Sequence, residues 1–122
     1  MSKHRLAVFA AIPMVALFIA ARADAHAMLD HAQPAVGSTV AAPKSVTLWF
    51  TESLEPAFST IEVRNAQGAA MQAGKAAVDP ADRTELRVPL KALPPGTYKV
   101  IWRVLSVDTH RTQGDFTFSV GR

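Results

Sequence analysis

Apolar and polar side chains alternate through most of the chain after Val46. Val46, Leu48 and Phe50 are separated by Thr47 and Trp49; Ile61 and Val63 repeat the pattern; Leu86, Val88 and Leu90 have Arg87 and Pro89 between them. Tyr98, Val100, Trp102 and Val104 form the longest run, and Phe116, Phe118 and Val120 the last, with Asp115, Thr117 and Ser119 interleaved. A period of two means strands that bury one face and wet the other. Between the runs lie turn formers: Pro34, Gly37, Pro43, Gly68, Gly74, Asp79-Pro80 and Pro94-Pro95-Gly96. The Ala69 to Ala77 segment has helical composition, but Gly74 interrupts it and no apolar stripe persists, so it reads as a short strand and loop. Short strands punctuated by turns predict an all-β, antiparallel Greek-key sandwich or barrel.

The first twenty-five residues follow a different pattern. Lys3 and Arg5 precede an uncharged apolar run from Leu6 to Ala21, and Ala23-Asp24-Ala25 places small residues where a signal peptidase inspects them. A membrane anchor is the competing reading, but the run is interrupted by Pro13 and falls short of the roughly twenty residues that a span needs. Residues 1–25 are therefore expected to be a cleaved secretory signal peptide, with 26–122 a single exported domain of about 97 residues.

Cleavage changes the charge balance. The whole chain carries a formal +3; without the leader, ten Lys and Arg stand against nine Asp and Glu, scattered singly. This is no basic footprint for nucleic acid or a membrane surface. Cysteine is absent, which removes disulfides, thiolate zinc sites and blue-copper centres. Any metal must be held by His, carboxylate, Met or backbone.

Cleavage after Ala25 also makes His26 the amino terminus. Its free α-amine and ring Nδ1 can chelate one ion together, and both deprotonate near neutral pH. Asp108 and His110 are two residues apart; with Thr109 extended they would project from one face, their Cα atoms roughly 6 to 7 Å apart. Three nitrogens and a carboxylate in a tetragonal set suit Cu(II). Taken alone, Asp108 and His110 read equally well as polar loop residues, and His31 as an ordinary surface imidazole. Trp49, Trp102 and Tyr98 read as core and rim packing.

These residues sit in a wider pattern that resembles the bacterial periplasmic CopC copper-resistance proteins. It comprises His26-Ala27 with Pro34-Ala35 and Gly37; Leu48-Trp49-Phe50-Thr51-Glu52 with Glu55-Pro56 and Phe58; Pro95-Gly96-Thr97-Tyr98 leading to Trp102-Arg103-Val104; and Ser106-Val107-Asp108-Thr109-His110 with Gly114 and Phe116-Thr117-Phe118. The resemblance implies a cupredoxin or immunoglobulin-like sandwich of about seven strands, one Cu(II) per chain, and metal ligation by His26, Asp108 and His110. Glu52 matches a family acidic residue, for which an outer-sphere or axial role is expected. An inner-membrane CopD-like copper transporter is the implied partner, and a monomeric carrier or buffer without enzymatic activity the implied function.

Two departures stand out. Only Met28 and Met71 remain after the leader, so the methionine-rich Cu(I) site of some members is expected to be absent. Thr109 stands where members commonly carry Gly. Two alternatives to the carrier are a histidine-brace copper oxygenase, which needs an open coordination position and a substrate surface, and a metal-independent sandwich that binds a protein through its strand edges or loops.

Overall fold

A computed structural model describes residues 27–122. Eight strands run in chain order: β1 (Leu29–Gln33), β2 (Thr39–Val40), β3 (Ser45–Phe50), β4 (Thr60–Arg64), β5 (Ala77–Val78), β6 (Glu85–Pro89), β7 (Gly96–Leu105) and β8 (Arg111–Val120). One turn of 3-10 helix, Pro56–Phe58, lies between β3 and β4. The strands form two four-stranded sheets, ordered β1-β3-β6-β5 and β2-β8-β7-β4. All neighbours are antiparallel except β2 and β8. Only β5–β6 and β7–β8 are sequential neighbours; the other connections cross between the sheets, as in a Greek-key sandwich.

The alternation read from the sequence is the alternation of burial. Tyr98, Val100, Trp102 and Val104 of β7 face Val46, Leu48 and Phe50 of β3 and Leu86 and Val88 of β6 within one core, closed by Phe116 and Phe118. Within that core Phe50 meets the Trp102 ring edge to face at 5.1 Å, and Tyr98 stacks on Phe118 at 5.6 Å. One polar position breaks the pattern: Thr47 is buried, its hydroxyl accepting from Arg87 Nε at 3.2 Å.

The expected count of about seven strands becomes eight because two pairings, β2 and β5, involve only two residues each. The Ala69–Ala77 segment, expected as a short strand and loop, is loop with isolated bridges at Ala70 and Gln72, and strand begins only at Ala77. It closes against β4 through the Met71 N–H to Val63 carbonyl bond (2.7 Å) and leads into β5.

Candidate metal centre

The longest strand pair, β7 and β8, is joined by Ser106 to His110. Leu105 pairs with Arg111; Ser106 N–H then donates to the His110 carbonyl (3.0 Å) and Thr109 N–H to the Ser106 carbonyl (2.9 Å). These bonds define a three-residue hairpin loop whose last residue must be left-handed. Thr109 accordingly has φ +72°. The extended Thr109 expected from the sequence is thus corrected: the hairpin reverses here, and this position calls for glycine-like geometry although a β-branched residue fills it. Asp108 and His110 meet anyway, through the turn and not through a shared strand face.

His110 Nδ1 lies 3.5 Å from Asp108 Oδ1, and both side chains are about half exposed. Ser106, fully buried, is the residue that composes the pair. Its hydroxyl donates to the Asp108 carboxylate and contacts the His110 backbone. The Ser106 hydrogen bond, aided by His110 and partly opposed by desolvation, holds the Asp108 carboxyl below the usual range, which favours its ionised form. The sequence motif contained Ser106 but gave it no task; its place two residues before the aspartate is the signal that was there to use.

The turn is also stitched to the segment after β3. Val107 N–H donates to the Ser53 carbonyl (3.0 Å), and Leu54 bridges Ser106. Glu52, half-buried, precedes Ser53 by one residue and so shares this rim. Among the described residues its carboxylate makes no side-chain hydrogen bond or ion pair. Glu55 serves the frame: its N–H donates to the Leu105 carbonyl (2.8 Å) and its carbonyl accepts from Ser59 Oγ (2.9 Å).

His26 lies outside the described residues. Its neighbour Ala27 is fully buried, and the Ala27 carbonyl accepts from Thr112 Oγ1 at 2.7 Å, two residues beyond His110. Met28 exchanges bonds with Thr51: its N–H donates to Thr51 Oγ1 (3.0 Å) and its carbonyl accepts from Thr51 N–H (2.9 Å). Thr51, quoted in the sequence only as part of a motif, and Thr112, not singled out there, bring the start of the described chain to the rim that carries Asp108, His110 and Glu52. His31 is employed elsewhere: on the outer face of the first sheet it stacks on Trp49 (4.4 Å, 7°) and pairs through Nδ1 with Asp30 at 2.7 Å. Among the described residues no three imidazole or carboxylate groups converge as a metal cage; Asp108 and His110 bring together one carboxylate and one imidazole.

A two-sheet sandwich with an imidazole and a carboxylate held together at one rim defines the class: a small β-domain with a carboxylate–imidazole pair at its surface. Residues 29–121 match the CopC domain. The chain belongs to the CopC family. It is 43% identical over 98 residues to Protein YobA of Escherichia coli (strain K12), covering 79% of each chain. It is 38% identical over 116 residues to copper resistance protein C of Xanthomonas campestris pv. juglandis, covering 89% of this chain and 91% of that one. The crystal structure of CopC from Methylosinus trichosporium OB3b superposes with a TM-score of 0.73 at 35% identity, over 78% of this chain and 93% of that one.

Proposed function

We propose that this chain is a periplasmic Cu(II)-binding protein that carries or buffers copper in copper resistance, with one ion held by the His26 amine and ring, Asp108 and His110. The observation that carries the reading is the anchoring of Ala27. The residue bonded directly to His26 is pinned to Thr112, beside the strand start that follows His110, while Ser106 holds Asp108 against the same imidazole. The paired carboxylate and imidazole supply half of a nitrogen-rich set, and a terminal histidine attached at that point supplies the rest. Glu52, on the same rim, would lower the net charge of the loaded site or orient a ligand. Family relatives named for copper resistance support copper as the metal.

The reading requires that the leader be removed after Ala25, because only a terminal His26 has a free amine. It carries the copper to an inner-membrane CopD-like transporter or sequesters it nearby. No chemistry on a substrate is assigned: with Asp108 occupying a copper position, the open site of an oxygenase is not left over.

The test is a competitive Cu(II) titration of protein matured in the periplasm, with its mass confirming His26 as first residue, beside a form extended by one residue. Tight one-to-one binding that collapses on extension supports the amine-dependent site. Equal affinity of the two forms overturns it.

A further inference from the structure

A second feature near the same rim is made of different residues. On the outer face of the second sheet, a cavity of about 200 Å³ is lined by Phe58, Arg103, Val104, Arg111, Thr112 and Gln113. Arg103 and Arg111 are exposed, and among the described residues neither has a carboxylate within ion-pair distance or makes a side-chain hydrogen bond. The strand register explains why. Arg103 stands between Thr60 and Gln113, and Arg111 opposite Leu105, all uncharged. The carboxylates one diagonal step from Arg103 are Glu62, which is committed to Arg64 at 3.3 Å, and Asp115, which opposes Ile101 and makes no ion pair with Arg103. Phe58, more than half exposed, supports the Arg111 guanidinium at 6.0 Å from its ring centroid, the outer limit of a cation–π contact.

Two guanidiniums left without ion-pair partners around a hollow, one braced on an exposed aromatic ring, are the components of carboxylate recognition: planar forks that donate bidentately to carboxylates, with an apolar surface for the carbon chain that carries them. An exposed Phe and unpaired Arg are also the residue types enriched where proteins meet. We propose that this cavity is a docking point for an acidic segment of a partner protein, whose carboxylates pair with Arg103 and Arg111 while its chain lies over Phe58. Arg111 directly follows His110, so a partner bound here would stand beside the metal-ligand pair. The surface itself depends on no metal.

The test follows the arginine side-chain N–H signals of the metal-free protein by NMR at low, fixed ionic strength during titration with a hexaglutamate peptide, with hexaglutamine as the neutral control. Saturable shifts confined to Arg103, Arg111 and the Phe58 ring are expected, with affinity reduced by about tenfold or more in the Arg103→Gln/Arg111→Gln double variant, since charge-assisted bonds are the strong ones. Both positions are exposed, so the fold is expected to persist, which the dispersion of the same spectra verifies. Lys99→Gln, which removes a cation from the same face but outside the cavity, is expected to change affinity by no more than about twofold. Equal weakening by Lys99→Gln, or shifts spread over Arg64, Arg83 and Arg87, would reduce the effect to diffuse charge attraction and overturn the proposal. Succinate binding as tightly as the peptide would overturn it too, by making the cavity a small-molecule site. Because no copper is present, these outcomes are separable from the fate of the Cu(II) reading.

Discussion

Replacing Gly114 by Ala tests the packing that holds β8, and with it one side of the rim, in place. Gly114 pairs with Trp102 across the β7–β8 ladder, and a Cβ added there would lie 2.5 Å from Trp102 Cζ2 and 2.9 Å from Cε2. The indole cannot easily yield. It is 7% exposed and has the Phe50 ring against it at 5.1 Å. Reaching ordinary contact requires a shift of about 1 Å in a close-packed layer, and overpacking of this kind costs about 1–3 kcal/mol. Against that, losing glycine restricts the unfolded chain and returns about 0.4–1 kcal/mol. The clash wins, leaving a net loss of about 1–2 kcal/mol. With a slope of about 1 kcal/mol per molar for a domain of this size, the urea midpoint followed by far-ultraviolet circular dichroism should fall by about 1–2 M. Trp102→Phe combined with Gly114→Ala should recover part of the loss in a double-mutant cycle, because the smaller ring vacates the space. An unchanged or raised midpoint for Gly114→Ala alone would refute the close approach of the indole to β8.

Three other perturbations read different parts of the structure. Thr112→Val keeps the side-chain shape but orphans the buried Ala27 carbonyl, so unfolding free energy should fall by about 1–3 kcal/mol in urea titrations; no loss would mean that the anchor contributes nothing. Thr109→Gly should raise stability by up to about 1 kcal/mol, because relief of a left-handed β-branched residue, about 1–2 kcal/mol, exceeds the added chain entropy of glycine; thermal denaturation that shows a loss would contradict the turn geometry. Glu85 and Asp79 share a hydrogen bond that raises the Glu85 carboxyl and, after a backbone bond from Ala81, lowers that of Asp79. A raised folded value makes the Glu85 contribution present at acid pH and lost as pH rises above the ordinary 4.5 through the shifted value. Glu85→Gln, which keeps a donor toward Asp79 at every pH, should therefore gain on wild type as pH rises above the ordinary 4.5; urea midpoints that stay parallel as pH rises would count against the shared proton.

Much of this was written in the alternation of side chains. The long strands β3, β7 and β8 bury enough apolar residues that period two alone locates them, and the Tyr98 to Val104 face was legible residue by residue. Strands β2 and β5 were not, since two residues cannot display a period; they exist because neighbouring strands offer them partners. At the site, Asp108 and His110 were legible by type and spacing, while the shape that joins them was not. A β-branched Thr109 argues locally for extended backbone, and the hairpin closure between Leu105 and Arg111 overrides that preference. Ser106 and Thr51 stood in the quoted motifs without a task, and Thr112 outside them; Ser106 at least carried a cue in its spacing from Asp108, whereas the partners of Thr51 and Thr112 lie far off in sequence.

The passage of Ala27 and Met28 across the rim has a mechanical side. Ala27 is fastened to Thr112 in one sheet, and Met28 to Thr51 at the end of the other sheet's β3. Tension applied to the chain ahead of residue 27 is therefore met by both layers at once, and β1 is not peeled away alone. Through Thr112 the same pull is delivered to the beginning of β8, next to the 106–110 turn. Anything that grips this protein by its leading end thus holds a lever on the loop that carries Asp108 and His110.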